Sequence, residues 1–220
     1  MSTSIFHKGL ERFRAKAYKG NDALMPKLVK EGQAPKYFVI SCIDSRANPS
    51  MIFDAAPGMF FAHKAMGAIV RPYQKGTALA AALQFALHYN KVDTIIVLGH
   101  TQCGAIKALV DGLEDPEISS FLNVAQAGLS KVRARFDKRE KKEVIVSETE
   151  KQIVLESAAN IYTYPSVQKA MKDRKIEIKS WLFGLEAGCL MEYNAQTNEF
   201  EVTSTDLPID TETKESCCHA

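Results

Sequence analysis

No stretch of this sequence approaches the roughly 20 consecutive apolar residues that a bilayer-spanning helix needs. The first residues, MSTSIFHKGLERFRAKAYKG, interrupt their apolar residues with Lys and Arg and hold no run long enough for a secretory leader's apolar region, so a cytoplasmic protein is expected. An excess of one charge is missing too: 28 Lys and Arg face 26 Asp and Glu, for a formal net charge of +2. Neither nucleic acid nor a membrane is called for as a partner on electrostatic grounds. Cysteine is sparse, odd in number and scattered, at Cys42, Cys103, Cys189, Cys217 and Cys218. That set does not make a disulfide framework and suits metal-binding or catalytic thiols in a reducing compartment. Internal repeats and low-complexity linkers are absent, leaving 220 residues, 46% of them hydrophobic, for one core with appendages.

What the chain does contain is an alternation of short apolar strands and helical segments. Residues 4–31 have helical spacing with a break at Gly20-Asn21. KYFVISC (36–42), MFFAHKAM (59–66) and DTIIVLGH (93–100) are β-rich runs, and KGTALAAALQFALHYN (75–90) is a helix with Thr77 as its cap. Helical patterning returns at CGAIKALVDG. It predicts one long amphipathic helix over 118–142 whose charged end is a solvated face, then a helix over 148–162 and a short one at SVQKAMKD. KIEIKSWLFGLEAGCLMEYN reads as strand, glycine turn and strand. The expected fold class is α/β, with a mostly parallel central β-sheet flanked by helices. Residues 1–34 form an N-terminal helical arm, 35–203 the α/β domain, and 204–220 a polar tail.

Two of the apolar runs end alike. One meets Cys42; the other meets His100, with Cys103 three residues on. In open α/β sheets the carboxyl ends of neighbouring strands face one crevice, so adjacency of these strands would bring the three side chains together. Cys, His and Cys suit Zn²⁺, and three protein ligands leave a fourth position open, as catalytic zinc sites do. The glycines of GHTQCGA allow close backbone approach. Asp44 and Arg46 follow Cys42 at once. They read either as a surface-loop ion pair or as a carboxylate held near the open position by a two-point guanidinium grip. In the second case Arg46 keeps Asp44 ionised, and Asp44 either accepts a proton from the nucleophile or binds the metal itself.

CIDSR (42–46) and HTQCGA (100–105) resemble the Cys-x-Asp-Ser-Arg and His-x-x-Cys-Gly motifs of the β-class carbonic anhydrases. EGQAP (31–35) is similar to that family's Gln-x-Pro element, and KSWLFGLEAGCL (179–190) to its late strand pair around a Trp. The resemblance covers roughly residues 25–195. It implies one Zn²⁺ per chain on Cys42, His100 and Cys103, and reversible hydration of CO₂ to bicarbonate by a hydroxide that Asp44 and Arg46 orient. It also implies that Gln33, reaching from a neighbouring subunit, and Gly104 contact substrate. The arm would clasp a partner in a homodimer or tetramer.

The sequence departs from that family in places. HKAMGAIV (63–70) stands where many members resemble HRNVANLV, and Lys64 cannot give a planar two-point anion grip, so a second bicarbonate site is not expected. Ala47 replaces a common Val. Relatives with the same zinc set hydrolyse carbon disulfide or carbonyl sulfide, and that activity is the alternative on the same site. An idle protein in which zinc only staples the fold is the rival of another class. Phe60, Phe61 and Phe85 are read as core aromatics, His63 and His88 as structural, Cys189 as packing, and CCHA as adventitious thiols.

Overall fold

The β-branched and aromatic runs Tyr37–Cys42 and Thr94–His100 form adjacent parallel strands at the centre of a six-stranded sheet. The structure is a computed structural model that describes residues 3–20 and 22–203. The 204–220 tail, with Cys217 and Cys218, and part of the Gly20-Asn21 break lie outside the described residues.

In chain order the elements are α1 (Ser4–Ala17), α2 (Leu24–Glu31), β1 (Tyr37–Cys42), α3 (Pro49–Ile52), β2 (Phe60–Ala65), α4 (Ala78–Gln84), β3 (Thr94–His100) and α5 (Gly104–Asp111). There follow α6 (Pro116–Leu122), α7 (Gln126–Arg135), α8 (Lys142–Ile161), α9 (Pro165–Asp173), β4 (Glu177–Gly184), β5 (Cys189–Asn194) and β6 (Glu199–Val202). The strand order is β2-β1-β3-β4-β5-β6. The first four strands run parallel, and β5 and β6 return antiparallel. The α/β expectation therefore holds, including the two-part helical amino terminus.

Helix ends follow the local chemistry. The Thr77 hydroxyl accepts the Ala80 N–H at the start of α4, which continues through a wider helical turn over Phe85–Tyr89. Asp115 caps α6 through the Ile118 N–H, with Pro116 at the first helical position, where its missing N–H costs nothing. α5 stops at Gly112, whose φ of 69° is left-handed.

The single helix expected over 118–142 is broken. A tight turn at Asn123–Ala125 separates α6 from α7, and it lets Leu122, Ala125 and Leu129 all reach one apolar cluster. After Arg135 the backbone is extended at Phe136, and the Asp137 carboxylate accepts the Arg139 N–H at 2.8 Å to make a turn. The next helix starts at Lys142 rather than near 148. The basic run is exposed, as a solvated segment should be. The strand β6 was not anticipated.

Strand alternation sends Phe38, Ile40, Ile95 and Val97 to one face, where they pack with Leu83, Leu87, Val154 and Ile161 from the helices. The opposite face carries Val39, Ile96 and Leu98 under Phe53, Phe60, Trp181 and Phe183. Phe61 packs against the first cluster, whereas Phe85 is 51% exposed and stacks on Tyr89, so it is not the core residue expected. His88 is structural: its Nε2 is 2.9 Å from the Ser166 carbonyl oxygen. Cys189 is buried in the main cluster.

Gly99, one residue before His100, lies under α8: a Cβ there would collide with Val154 and lie 3.2 Å from Leu182. Gly99→Ala is expected to destabilise the fold by about 1–3 kcal/mol, the usual cost of overpacking. Chemical denaturation of the two proteins side by side checks this.

Candidate metal centre

Because β1 and β3 are parallel and adjacent, Cys42 and His100 come off the sheet at the same edge. The short Thr101-Gln102 turn brings the chain back to Cys103, which stands at the N-cap of α5. The candidate ligand atoms of Cys42, His100 and Cys103 all lie within 4.8 Å of one another, and the three residues are 2–3% exposed.

Each of the three is oriented by the backbone around it. The Cys42 sulfur accepts the N–H of Asp44 at 3.4 Å and the N–H of Gly67 at 3.3 Å. Gly67 sits in a turn after β2 with φ 63°, where a Cβ would press on Ile69 at 3.2 Å. His100 Nδ1 is 2.8 Å from the carbonyl oxygen of Thr101. A carbonyl only accepts, so Nδ1 carries the proton and the Nε2 lone pair is left for another purpose. That Nε2 is buried with no hydrogen-bond partner. Thr101 itself is anchored to the β4–β5 turn, its N–H donating to Phe183 O at 2.9 Å and its hydroxyl accepting from Leu185 N at 3.0 Å. The Cys103 N–H donates to Glu150 Oε1 at 2.6 Å, and burial pushes this carboxyl up to about 7 despite that bond.

The thiols behave as a pair. The neighbouring Cys103 thiol draws Cys42 toward thiolate, with help from His100 and the two backbone N–H groups and against its burial. Cys103, as the donor, is pushed up. The two sulfurs lie close enough that one disfavours ionisation of the other, and a divalent cation there would allow both to ionise. An orphaned imidazole nitrogen beside two such sulfurs fits zinc by donor chemistry.

Asp44 flanks the cluster, its Oδ2 3.9 Å from His100 Nε2. Arg46 holds it at three points: backbone N–H to Oδ1 at 2.9 Å, Nε to Oδ1 at 3.1 Å, and Nη2 to Oδ2 at 2.8 Å. These bonds keep the carboxyl well below the usual carboxylate range. The Arg46 side chain is 58% exposed and that of Asp44 18%, so the pair stands at the mouth of the site. Gly104 is exposed at the first position of α5, and a Cβ there would meet nothing within 4 Å. Gln33 lies in the exposed connector between α2 and β1 and takes no part in the hydrogen bonds around the cluster. Lys64 is exposed on β2, in register with Ser41. A cavity of about 520 Å³ opens behind the metal loop, lined by residues that include Thr101, Gln102, Ser147, Glu150 and Glu186. Sequence reasoning missed Thr101, Gly67 and Glu150. Only Thr101 had a signal, since it stands between two ligand-type residues.

Fold and site together define a class of α/β protein: a Cys-His-Cys cluster that could hold a metal at the carboxyl edge of a parallel sheet, beside a clasped carboxylate. The family described as carbonic anhydrase matches residues 37–190. Carbonic anhydrases of Synechocystis sp. and Synechococcus elongatus are 28% and 27% identical over 201 and 200 residues, covering 88% and 87% of this chain and 72% of each relative. Among solved structures, the β-carbonic anhydrase CcaA matches with a TM-score of 0.82 at 26% identity, covering 91% of this chain and 99% of that one. A β-carbonic anhydrase of Sordaria macrospora, described as tetrameric, shares the fold with a TM-score of 0.77 at 24% identity, covering 91% and 100%. The chain belongs to the carbonic anhydrase family, and within it to the β class. Among the described residues no helix is long and apolar enough to cross a membrane.

If the cluster is the zinc site, Cys42→Ala, His100→Ala and Cys103→Ala each drop the bound zinc from about one per chain to a small fraction of that, by elemental analysis after dialysis against a weak chelator.

Proposed function

We propose that this chain catalyses the reversible hydration of carbon dioxide to bicarbonate and a proton, with one zinc held by Cys42, His100 and Cys103. The observation that carries the reading is Asp44: an ionised carboxylate, gripped by Arg46, whose oxygen lies 3.9 Å from the free nitrogen of His100. A site that only staples a fold needs neither an open position nor a carboxylate beside it, which argues against the idle-protein alternative.

Zinc bound there supplies a Lewis acid that lowers the pKa of water to about 7, so that a nucleophile exists at neutral pH. The protein's own part is orientation. An ionised carboxylate only accepts, so Asp44 takes a hydrogen bond from the attacking water and thereby turns its lone pair toward the substrate carbon. Arg46 fixes the rotation of that carboxylate and prevents its protonation. Gly104, with open space where a side chain would stand, leaves room for a small linear substrate, and Gln33 of a second subunit would donate a hydrogen bond to it.

The proposed working unit has residues 1–34 as an arm, 35–203 as the catalytic domain, and at least two copies of the chain. Support for a second copy comes from α1, in which only Ala17 is buried while Ile5 is 67%, Phe6 75% and Leu10 55% exposed. Apolar area of that kind on one helix calls for a covering partner, and the Sordaria relative is described as tetrameric.

Asp44→Asn tests the mechanism. It keeps shape but cannot remain a pure acceptor, and CO₂ hydration by stopped flow is expected to fall about 10²-fold or more with zinc content unchanged. Full activity in that variant would sink the orienting role. Parallel assays with carbonyl sulfide and carbon disulfide decide the alternative, and CO₂ is expected to have the higher kcat/KM. For the arm, Phe6→Asp with Leu10→Asp is expected to shift sedimentation equilibrium from dimer multiples toward monomer.

A further inference from the structure

Glu150 is the one buried carboxylate among the described residues, at 4% exposure, and it faces the metal loop from the middle of α8. No Lys or Arg among the described residues pairs with it. Burying such a group costs several kcal/mol unless its partner matters, and a core helix would ordinarily place an apolar residue there. The partner is the backbone N–H of Cys103, at 2.6 Å.

That N–H occupies a particular place. Cys103 follows Gln102, which has a left-handed φ of 54°, and begins α5 without any cap from its own side chain. The turn carrying His100 and Cys103 is therefore pinned at two points from two directions. Thr101 secures the His100 side through Phe183, Leu185 and the imidazole itself. Glu150 secures the Cys103 side, from an element 47 residues away in sequence.

We propose that Glu150 is a positioning residue for the metal centre: its carboxylate oxygen holds the Cys103 N–H and so sets the Cys103 sulfur where Cys42 and His100 converge, before any metal binds. The proposal rests on the zinc reading above. It requires an acceptor at this spot rather than a charge, so a carboxamide serves and an apolar side chain of equal size does not.

The test uses the full chain as wild type, Glu150→Gln, Glu150→Met and Glu150→Asp. Zinc affinity is read by competition with a chromophoric chelator, and Co²⁺-substituted protein gives the ligand-field and thiolate charge-transfer bands. Glu150→Met is expected to weaken zinc about 10–100-fold, the usual effect of losing an outer partner of a metal ligand, and to shift the cobalt bands. Glu150→Gln should stay within about threefold of wild type. Glu150→Asp keeps the charge but withdraws the oxygen by one methylene, so it should weaken zinc as well; it carries the test should the Met variant fail to fold. Met and Asp variants that hold zinc like wild type, with unchanged cobalt bands, would overturn the proposal, as would a Gln variant as weak as the Met variant. Wild-type affinity reads the metal assignment itself, and the variant-to-wild-type ratio reads Glu150. A wild type that binds no zinc overturns both.

Discussion

The site exists because two neighbouring parallel strands end together. Ser41 is in register with Leu98, so Cys42 and His100 leave the sheet at nearly the same height, one strand spacing apart. A one-residue slip would send the side chains of either strand to the opposite face. What prevents the slip is the burial of both faces: Phe38, Ile40, Ile95 and Val97 are locked under helices, while Val39, Ile96 and Leu98 are covered by aromatics from the other side. The hydrophobic core and the metal cluster are in that sense one constraint. Alternation alone would send Cys42 and His100 to opposite faces; the register that the core fixes brings them together by ending both strands at one edge.

Electrostatics then divide the site in two. Toward the interior, the two sulfurs and the imidazole nitrogen that has no hydrogen-bond partner form a pocket of electron-pair donors. Toward solvent, Asp44 and Arg46 form an ion pair that fixes the carboxylate's position. A carboxylate free to rotate would compete for the cluster's open position, so the three-point grip of Arg46 bears on whether Asp44 orients a nucleophile or takes its place.

Much of this was legible in the sequence because it rests on local chemistry. The strands were β-rich runs bounded by turns, and the candidate ligands were unusual residues placed where such runs stop. The Asp44–Arg46 pair was readable for the same reason, as its partners are two residues apart. What could not be read depends on tertiary packing. Glu150 reaches Cys103 across the fold from a helix whose sequence pattern marks it only as another charged position. Gly67 matters through a single N–H. The break between α6 and α7 leaves the apolar periodicity almost intact, so a continuous helix fitted the pattern until Leu122, Ala125 and Leu129 were seen to need one common cluster. The edge strand β6, with exposed Glu199 and Glu201, is too short and too polar to announce itself.

The central claim is that the Cys42–His100–Cys103 cluster becomes a CO₂-hydrating centre when zinc fills it. The most direct measurement is a zinc titration of metal-stripped protein, with stopped-flow CO₂ hydration recorded at each addition at slightly alkaline pH. Activity that climbs linearly and levels off at one zinc per chain is the predicted result. Protein that takes up one zinc per chain and hydrates CO₂ no faster than buffer would contradict the account.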